Sequence, residues 1–185
     1  MKSSTVMWRA KKWPGIEHLV MRVSGDGVVA DGTVLAHLDG APVCLRYAIA
    51  CDREWNARAL TIDVQGSGHH LGLRAERPGV WRDDDGRRLP DLDGCVDVDV
   101  ALTPFTNTLP VARLPWRPGQ SRDLRVAYVV PPEYDPRAVD QRYTCLERTG
   151  AGAVFRYEAG SFRADLRVDS RGVVQDYPGV WEVLS

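Results

Sequence analysis

Hydrophobic residues recur at every second position through most of this chain. Leu19, Met21 and Val23 alternate with Val20 and Arg22, and Val43, Leu45, Tyr47 and Ile49 alternate with Cys44, Arg46 and Ala48. The same period runs through Leu124, Val126, Tyr128 and Val130 against Arg125 and Ala127, and through Phe162, Ala164, Leu166 and Val168 against Arg163, Asp165 and Arg167. Successive side chains of a strand point to opposite faces, so each run predicts a half-buried β-strand. Turn signals separate the runs: Gly25-Asp26-Gly27, Asp39-Gly40, Gly66-Ser67-Gly68, Asp85-Gly86, Gly150 to Gly152 and Arg171-Gly172. Strands broken by turns at such short intervals predict an all-β meander rather than alternating strands and helices.

The stretch GCVDVDVALTPFTNTLPVARL, Gly94 to Leu114, departs from this rhythm. Val96, Val98 and Val100 share one strand face, and Asp97 and Asp99 share the other. At Thr103-Pro104 the alternation gives way to a helix start: Thr103 suits a cap, Pro104 suits the first helical position, and Phe105, Leu109, Ala112 and Arg113 follow at helical spacing. Pro110 lacks a backbone donor, so the predicted helix is short or in two pieces. The whole pattern predicts one mostly antiparallel β domain, residues 1–185, with a single short helix.

Composition narrows the function classes. Hydrophobic residues at 44% and charged residues at 26% describe a globular chain of ordinary domain size. A net charge of −1 gives no electrostatic reason to expect a nucleic-acid or anionic-membrane partner. The N-terminal residues MKSSTVMWRAKKWPG do not form a secretory signal, and no apolar run reaches the ~20 residues of a bilayer span. A cytoplasmic location and no integral membrane contact are therefore expected. Cys44, Cys51, Cys95 and Cys145 form no CxxC pair and have no histidine at ligand spacing, which predicts isolated buried thiols, no metal and no cofactor.

The candidate chemistry is polar and clustered. Asp91, Asp93, Asp97 and Asp99 surround Gly94, but DLDG lacks the remaining positions of a calcium loop. Asp97 and Asp99 either face solvent or nearby arginines, or line a polar cavity where proximity raises one pKa and permits acid–base work or sugar-hydroxyl binding. Thr103, Thr106, Asn107 and Thr108 either serve capping and turns or offer donors and acceptors to a polyhydroxylated ligand. His69 and His70 are neighbours on a strand and point to opposite faces, as two exposed surface histidines. Asp83 to Arg88 is a charged hairpin tip. Ser67 has no nucleophile-elbow setting, and no catalytic residue is assigned. The six tryptophans suit core or interface anchoring, or stacking on a sugar or acyl chain.

Several segments together resemble one bacterial family, named Putative glycolipid-binding. They are GCVDVDVALTPFTNTLPVARL, LRYAIACDREWNAR (Leu45 to Arg58), VAYVVPP (Val126 to Pro132), QRYTCL (Gln141 to Leu146) and DSRGVVQDYPGVW (Asp169 to Trp181). The resemblance implies a spiral β-roll, a long antiparallel sheet coiled around one helix, for which TPFTNTLP is the candidate. It implies homodimers with a cavity facing away from the dimer contact, and a shape similar to the carriers of bacterial lipoproteins. The polar set of Asp97, Asp99, Thr106, Asn107 and Arg113 is the expected head-group site, and Asp52, Arg58, Tyr143 and Tyr177, in the other signature segments, are secondary candidates. The expected function is non-catalytic binding of an amphipathic molecule such as a glycolipid. The alternatives are an enzyme acting on a sugar-like or phosphorylated small molecule through Asp97 or Asp99, and a dimeric scaffold without a small ligand.

Overall fold

A computed structural model describes residues 2–184. The first half of the chain is a meander of seven strands: β1 (Lys2–Ala10), β2 (Gly15–Ser24), β3 (Gly27–Leu38), β4 (Ala41–Cys51), β5 (Ala57–Val64), β6 (His69–Arg77) and β7 (Val80–Asp83). A 3-10 turn at Pro90–Leu92 leads to β8 (Asp97–Val100), then a 3-10 turn at Phe105–Asn107 runs into α1 (Thr108–Arg113). The second meander comprises β9 (Ser121–Val129), β10 (Arg137–Arg148), β11 (Gly152–Ala159), β12 (Phe162–Asp169), β13 (Val174–Tyr177) and β14 (Trp181–Val183). All fourteen strands belong to one sheet, ordered β7-β6-β5-β4-β3-β2-β1-β14-β13-β12-β11-β10-β9-β8. β1 and β14 form the seam between the halves, with Trp8 opposite Val183 and Ala10 opposite Trp181.

The expected mainly-β architecture with one short helix is what forms. Asp39-Gly40 closes the β3–β4 hairpin with both residues at positive φ, 49° and 84°, which a glycine in second place makes easy. The sheet rolls rather than closing into a barrel. Its edge strand β8 comes back beside β5, where the Ala57 amide donates to the Val96 carbonyl at 3.3 Å. Trp81 on β7 donates its indole N–H to the Cys95 carbonyl at 2.7 Å, tying the other edge to the same connection. Within the roll lies the segment Thr103 to Val111, buried throughout. Helix and 3-10 turn meet at Asn107-Thr108, and Pro110 is accommodated in the first turn of α1, where its missing donor costs nothing.

Simple alternation breaks down in several places, most plainly where both faces of the sheet are covered. β8 and β9 pair in parallel, with Asp97 opposite Val126, because the chain between them crosses the roll as the helical segment. Asp97, Val98 and Val100 are all buried, as are Val126, Ala127 and Val129, since sheet lies on one side and helix or rolled sheet on the other. Val130 lies past the end of β9. Phe162, expected inside, is 43% exposed at the start of β12. Cys44 is only half-buried, against buried Cys51, Cys95 and Cys145, and all four thiols are free.

Close approach explains one glycine in particular. Gly32 sits opposite Tyr47 in the β3–β4 pairing, and a Cβ at Gly32 would overlap the Tyr47 ring. The expected result for Gly32→Ala is a loss of about 1–3 kcal/mol in urea denaturation, as the ring is pushed from its slot. Gly25→Ala, where a Cβ meets nothing, is the control, with a change within about 0.5 kcal/mol.

Candidate functional site

An antiparallel meander places alternate hairpins at opposite ends of the sheet. The β1–β2, β3–β4, β9–β10 and β11–β12 turns ring one end of the roll, and there a cavity of about 880 Å³ opens inward. Its walls are aromatic. Trp13 meets Trp181 edge-on at 5.6 Å between ring centres, and Tyr157, Phe162 and Tyr177 form a mutual cluster at 6.0 to 6.2 Å. Its floor is polar: Asp99 from β8, Thr103 and Asn107 from the helical segment, and Gln141 from β10. Lys12, His37, Asp39 and Arg137 are also among the lining residues.

The floor groups are anchored. Asp99 accepts from the Thr106 hydroxyl and from the Gln141 amide, each at 2.7 Å. Burial raises its carboxyl pKa, the bonds from Thr106 and Gln141 pull it down, and the charge of Asp97 adds to the rise. Tyr143 donates its hydroxyl to Asn107 Oδ1 at 2.7 Å, and Asn107 Nδ2 donates to the Pro104 carbonyl at 3.2 Å. On the wall, the indole N–H of Trp13 differs: it is buried yet has no partner among the described residues.

Asp97 shares its strand face with Asp99 but takes a different partner. It receives Arg113 Nε at 3.1 Å and Nη2 at 2.5 Å in a bidentate pair, with the two side chains 2% and 14% exposed. Burial raises the Asp97 pKa, and the Arg113 bonds and charge oppose this. The pair clamps the C-terminal end of α1 to β8. Asp99 thus faces the cavity while Asp97 is neutralised behind it.

A third acid inside the roll is Glu17 on β2, fully buried. Its Oε1 accepts from Tyr47 at 2.5 Å and from Thr103 at 2.8 Å, and its Oε2 has no partner among the described residues. Thr103 in turn accepts from the Phe105 amide at 3.0 Å, the capping role its position suggests. Desolvation pushes the Glu17 pKa up to about 8, against the lowering effect of the Tyr47 and Thr103 bonds. Glu17 therefore supports the cavity floor from the opposite wall, one hydrogen bond behind Thr103.

Of the nine candidates read from the sequence, the structure gathers Asp99, Asn107 and Tyr177 on the cavity, with Thr106 and Tyr143 bonded to its floor. Asp97 and Arg113 form the adjoining pair. Asp52 and Arg58 are not lining residues. Asp52 shapes the β4–β5 turn by accepting from the Glu54 and Asn56 amides, and Arg58 reaches the Glu76 carbonyl at 3.5 Å. Asp91 and Asp93 leave the acidic cluster, Asp93 to pair with Arg88 at 2.7 Å. His69 and His70 do diverge: His70 is exposed between Asp63 and Asp84, whereas His69 packs on Tyr134 with its Nε2 buried. Burial also pushes the Cys51 and Cys95 thiols up, to about 12 and about 11, which leaves them unreactive. Among the described residues, no group of three or more His, Cys, Asp or Glu side chains is placed to hold a metal ion.

Sequence reasoning missed Glu17, Trp13 and Gln141. The signal for two of them was parity. Glu17 is in phase with Leu19, Met21 and Val23, and Gln141 is in phase with Tyr143 and Cys145, so both had to point inward.

Comparison with known proteins gives two matches. The family model described as Putative glycolipid-binding matches residues 5–183. Among solved structures, a DUF1089 family protein from Pseudomonas aeruginosa is similar, at 35% identity and a TM-score of 0.79, over 91% of this chain and 92% of that one. No curated protein matches the chain.

Glu17 makes stability depend on pH. The folded state holds a proton on Glu17 that the unfolded chain, with a carboxyl near 4.5, has released, so this group's contribution is full below about 4.5 and is lost as pH rises through about 8. Glu17→Gln should remove that part of the decline, gaining stability over wild type on the order of a few kcal/mol at pH 8 and little at pH 4.5, read from denaturation curves across the range. Arg113→Met should cost about 3–5 kcal/mol, because it strands the Asp97 charge, and the added change Asp97→Asn should recover part of the loss in the same assay.

Proposed function

The chain belongs to the Putative glycolipid-binding family, and we propose that it is a non-catalytic binding protein for an amphipathic molecule with a hydroxylated head group, a glycolipid in the simplest case. The observation that carries this reading is the 880 Å³ cavity, with aromatic and aliphatic walls over a floor of fixed hydrogen-bonding groups. Small-molecule sites have this character, mostly apolar with a few placed polar groups. Trp13, Trp181 and Phe162, with Val130 and Val139, would take acyl chain at ~0.8 kcal/mol per buried methylene. Asp99 and the Asn107 and Gln141 amides would receive the hydroxyls.

Binding is favoured over acid–base catalysis by the disposition of the carboxylates. Asp97 is held by Arg113, so of the two β8 carboxylates only Asp99 is offered to a ligand. We further propose that the protein works as a cytoplasmic homodimer. The free cysteines suit a reducing compartment. The outer face of the central strands carries exposed apolar residues, including the cross-strand pair Ile16 and Leu35, 39% and 49% exposed. No helix among the described residues is long and apolar enough to cross a membrane.

Native mass spectrometry of gently purified protein, followed by organic extraction, tests the reading. A dimer carrying stoichiometric lipid or glycolipid is the expected spectrum. Asp99→Ala and Gln141→Ala should each reduce the occupied fraction several-fold, and His70→Ala, on the outer face, should not. A wild-type protein that is free of adduct and takes up no added glycolipid would remove the proposal.

A further inference from the structure

We propose a second binding site at the opposite end of the roll, for a small anion with a flat apolar body, formed by Trp55, Arg148 and Arg171. The β4–β5, β10–β11 and β12–β13 turns lie at the end away from the large cavity, and they surround a separate cavity of about 270 Å³. Val111 and Ala112 of α1 close it from inside, so the helical segment stands between the two cavities. The site is independent of the ligand assigned to the large cavity.

Its aromatic wall is held in an unfavourable backbone conformation. Trp55 has φ of 65°, a left-handed value that bulky residues rarely adopt. The turn around it enforces this geometry. Asp52 accepts from the Asn56 amide at 2.9 Å, the Glu54 amide at 3.1 Å and the Asn56 side chain, and its own carbonyl accepts from Trp55 N at 3.0 Å. The product is a half-buried indole turned to the cavity. Cost of this kind concentrates at ligand sites.

The charge around the cavity is cationic. Two guanidiniums, Arg148 and Arg171, meet one carboxylate, Asp169. Asp169 is already occupied: its Oδ2 receives Arg171 Nε and Nη2, and its Oδ1 receives the Arg171 and Val173 amides. Arg148 is exposed and has no carboxylate partner among the described residues. Guanidinium groups bind phosphate or carboxylate in a planar, forked geometry, and an indole face accepts a flat body beside it. Two glycines allow the chain to approach closely at its rim. A Cβ on Gly152 would strike the Val168 carbonyl, and one on Gly172 would come within 3.1 Å of Val111 Cγ1.

Calorimetric titration with phenyl phosphate, with phenol as its neutral analogue, tests the site. Phenyl phosphate should bind one per chain, and phenol at least about tenfold more weakly, the loss of one charge-assisted contact. Arg148→Ala, an exposed change that leaves the fold intact, should weaken phenyl phosphate about tenfold. Trp55→Phe should weaken phenol and phenyl phosphate together. Arg137→Ala, at the large cavity, should leave both isotherms unchanged. The proposal is overturned if phenyl phosphate does not bind, if phenol binds equally well, or if Arg137→Ala abolishes binding while Arg148→Ala does not.

Discussion

Carboxylates taken out of water must find partners, and on β8 this requirement organises the interior. Asp97 and Asp99 lie on a strand covered on both faces. Each is matched by a group from the segment that follows it in the chain, Arg113 for Asp97 and Thr106 for Asp99. The pairing holds the short helix against β8 inside the roll, although a six-residue helix has almost no stability of its own. Glu17 and Tyr47 hold the same segment from the far wall through Thr103. The segment, fixed at both ends, contributes residues to the lining of both cavities.

The strands were legible because period two is a strong signal wherever one face is wet. It failed in the second half of β9, where Val126, Ala127 and Val129 are all buried, and at Phe162, whose place at the rim of the roll no local pattern records. The helical break at Thr103-Pro104 and the shortness of the helix were also legible, because caps and prolines act over a few residues, but the division falls at Asn107-Thr108 and Pro110 lies inside α1. The site was legible in part. Asp99, Asn107 and Tyr177 stood out by type and neighbourhood. Glu17 did not, since an acid among apolar residues is normally read as a solvent-facing position. Asp52 illustrates the opposite error, a conspicuous carboxylate whose bonds are all to its own turn. Local sequence gives the face on which a residue stands; it does not give what the roll brings opposite.

The polar groups of the large cavity differ in how much they are committed. Asp99 and Asn107 hold their bonds within the protein, so a ligand would add to a fixed array rather than build one. Preorganisation of this kind lowers the cost of binding because the receptor's side chains are ordered beforehand. The indole N–H of Trp13 is the contrast, a donor shut away from solvent that holds no bond among the described residues.

The seam between β1 and β14 bears on how such a sheet is assembled. Each half is a chain of neighbouring hairpins that can zip up locally, but Trp8 donates its indole N–H to Val174 across a sequence separation of 166 residues. Closing so long a loop costs entropy before any contact repays it, and non-local β pairing of this sort slows folding. Until the seam forms, both halves expose strand edges along β1 and β14 that are open to pairing with another chain. A seam only three residue pairs long thus carries the step of assembly that chain entropy delays most.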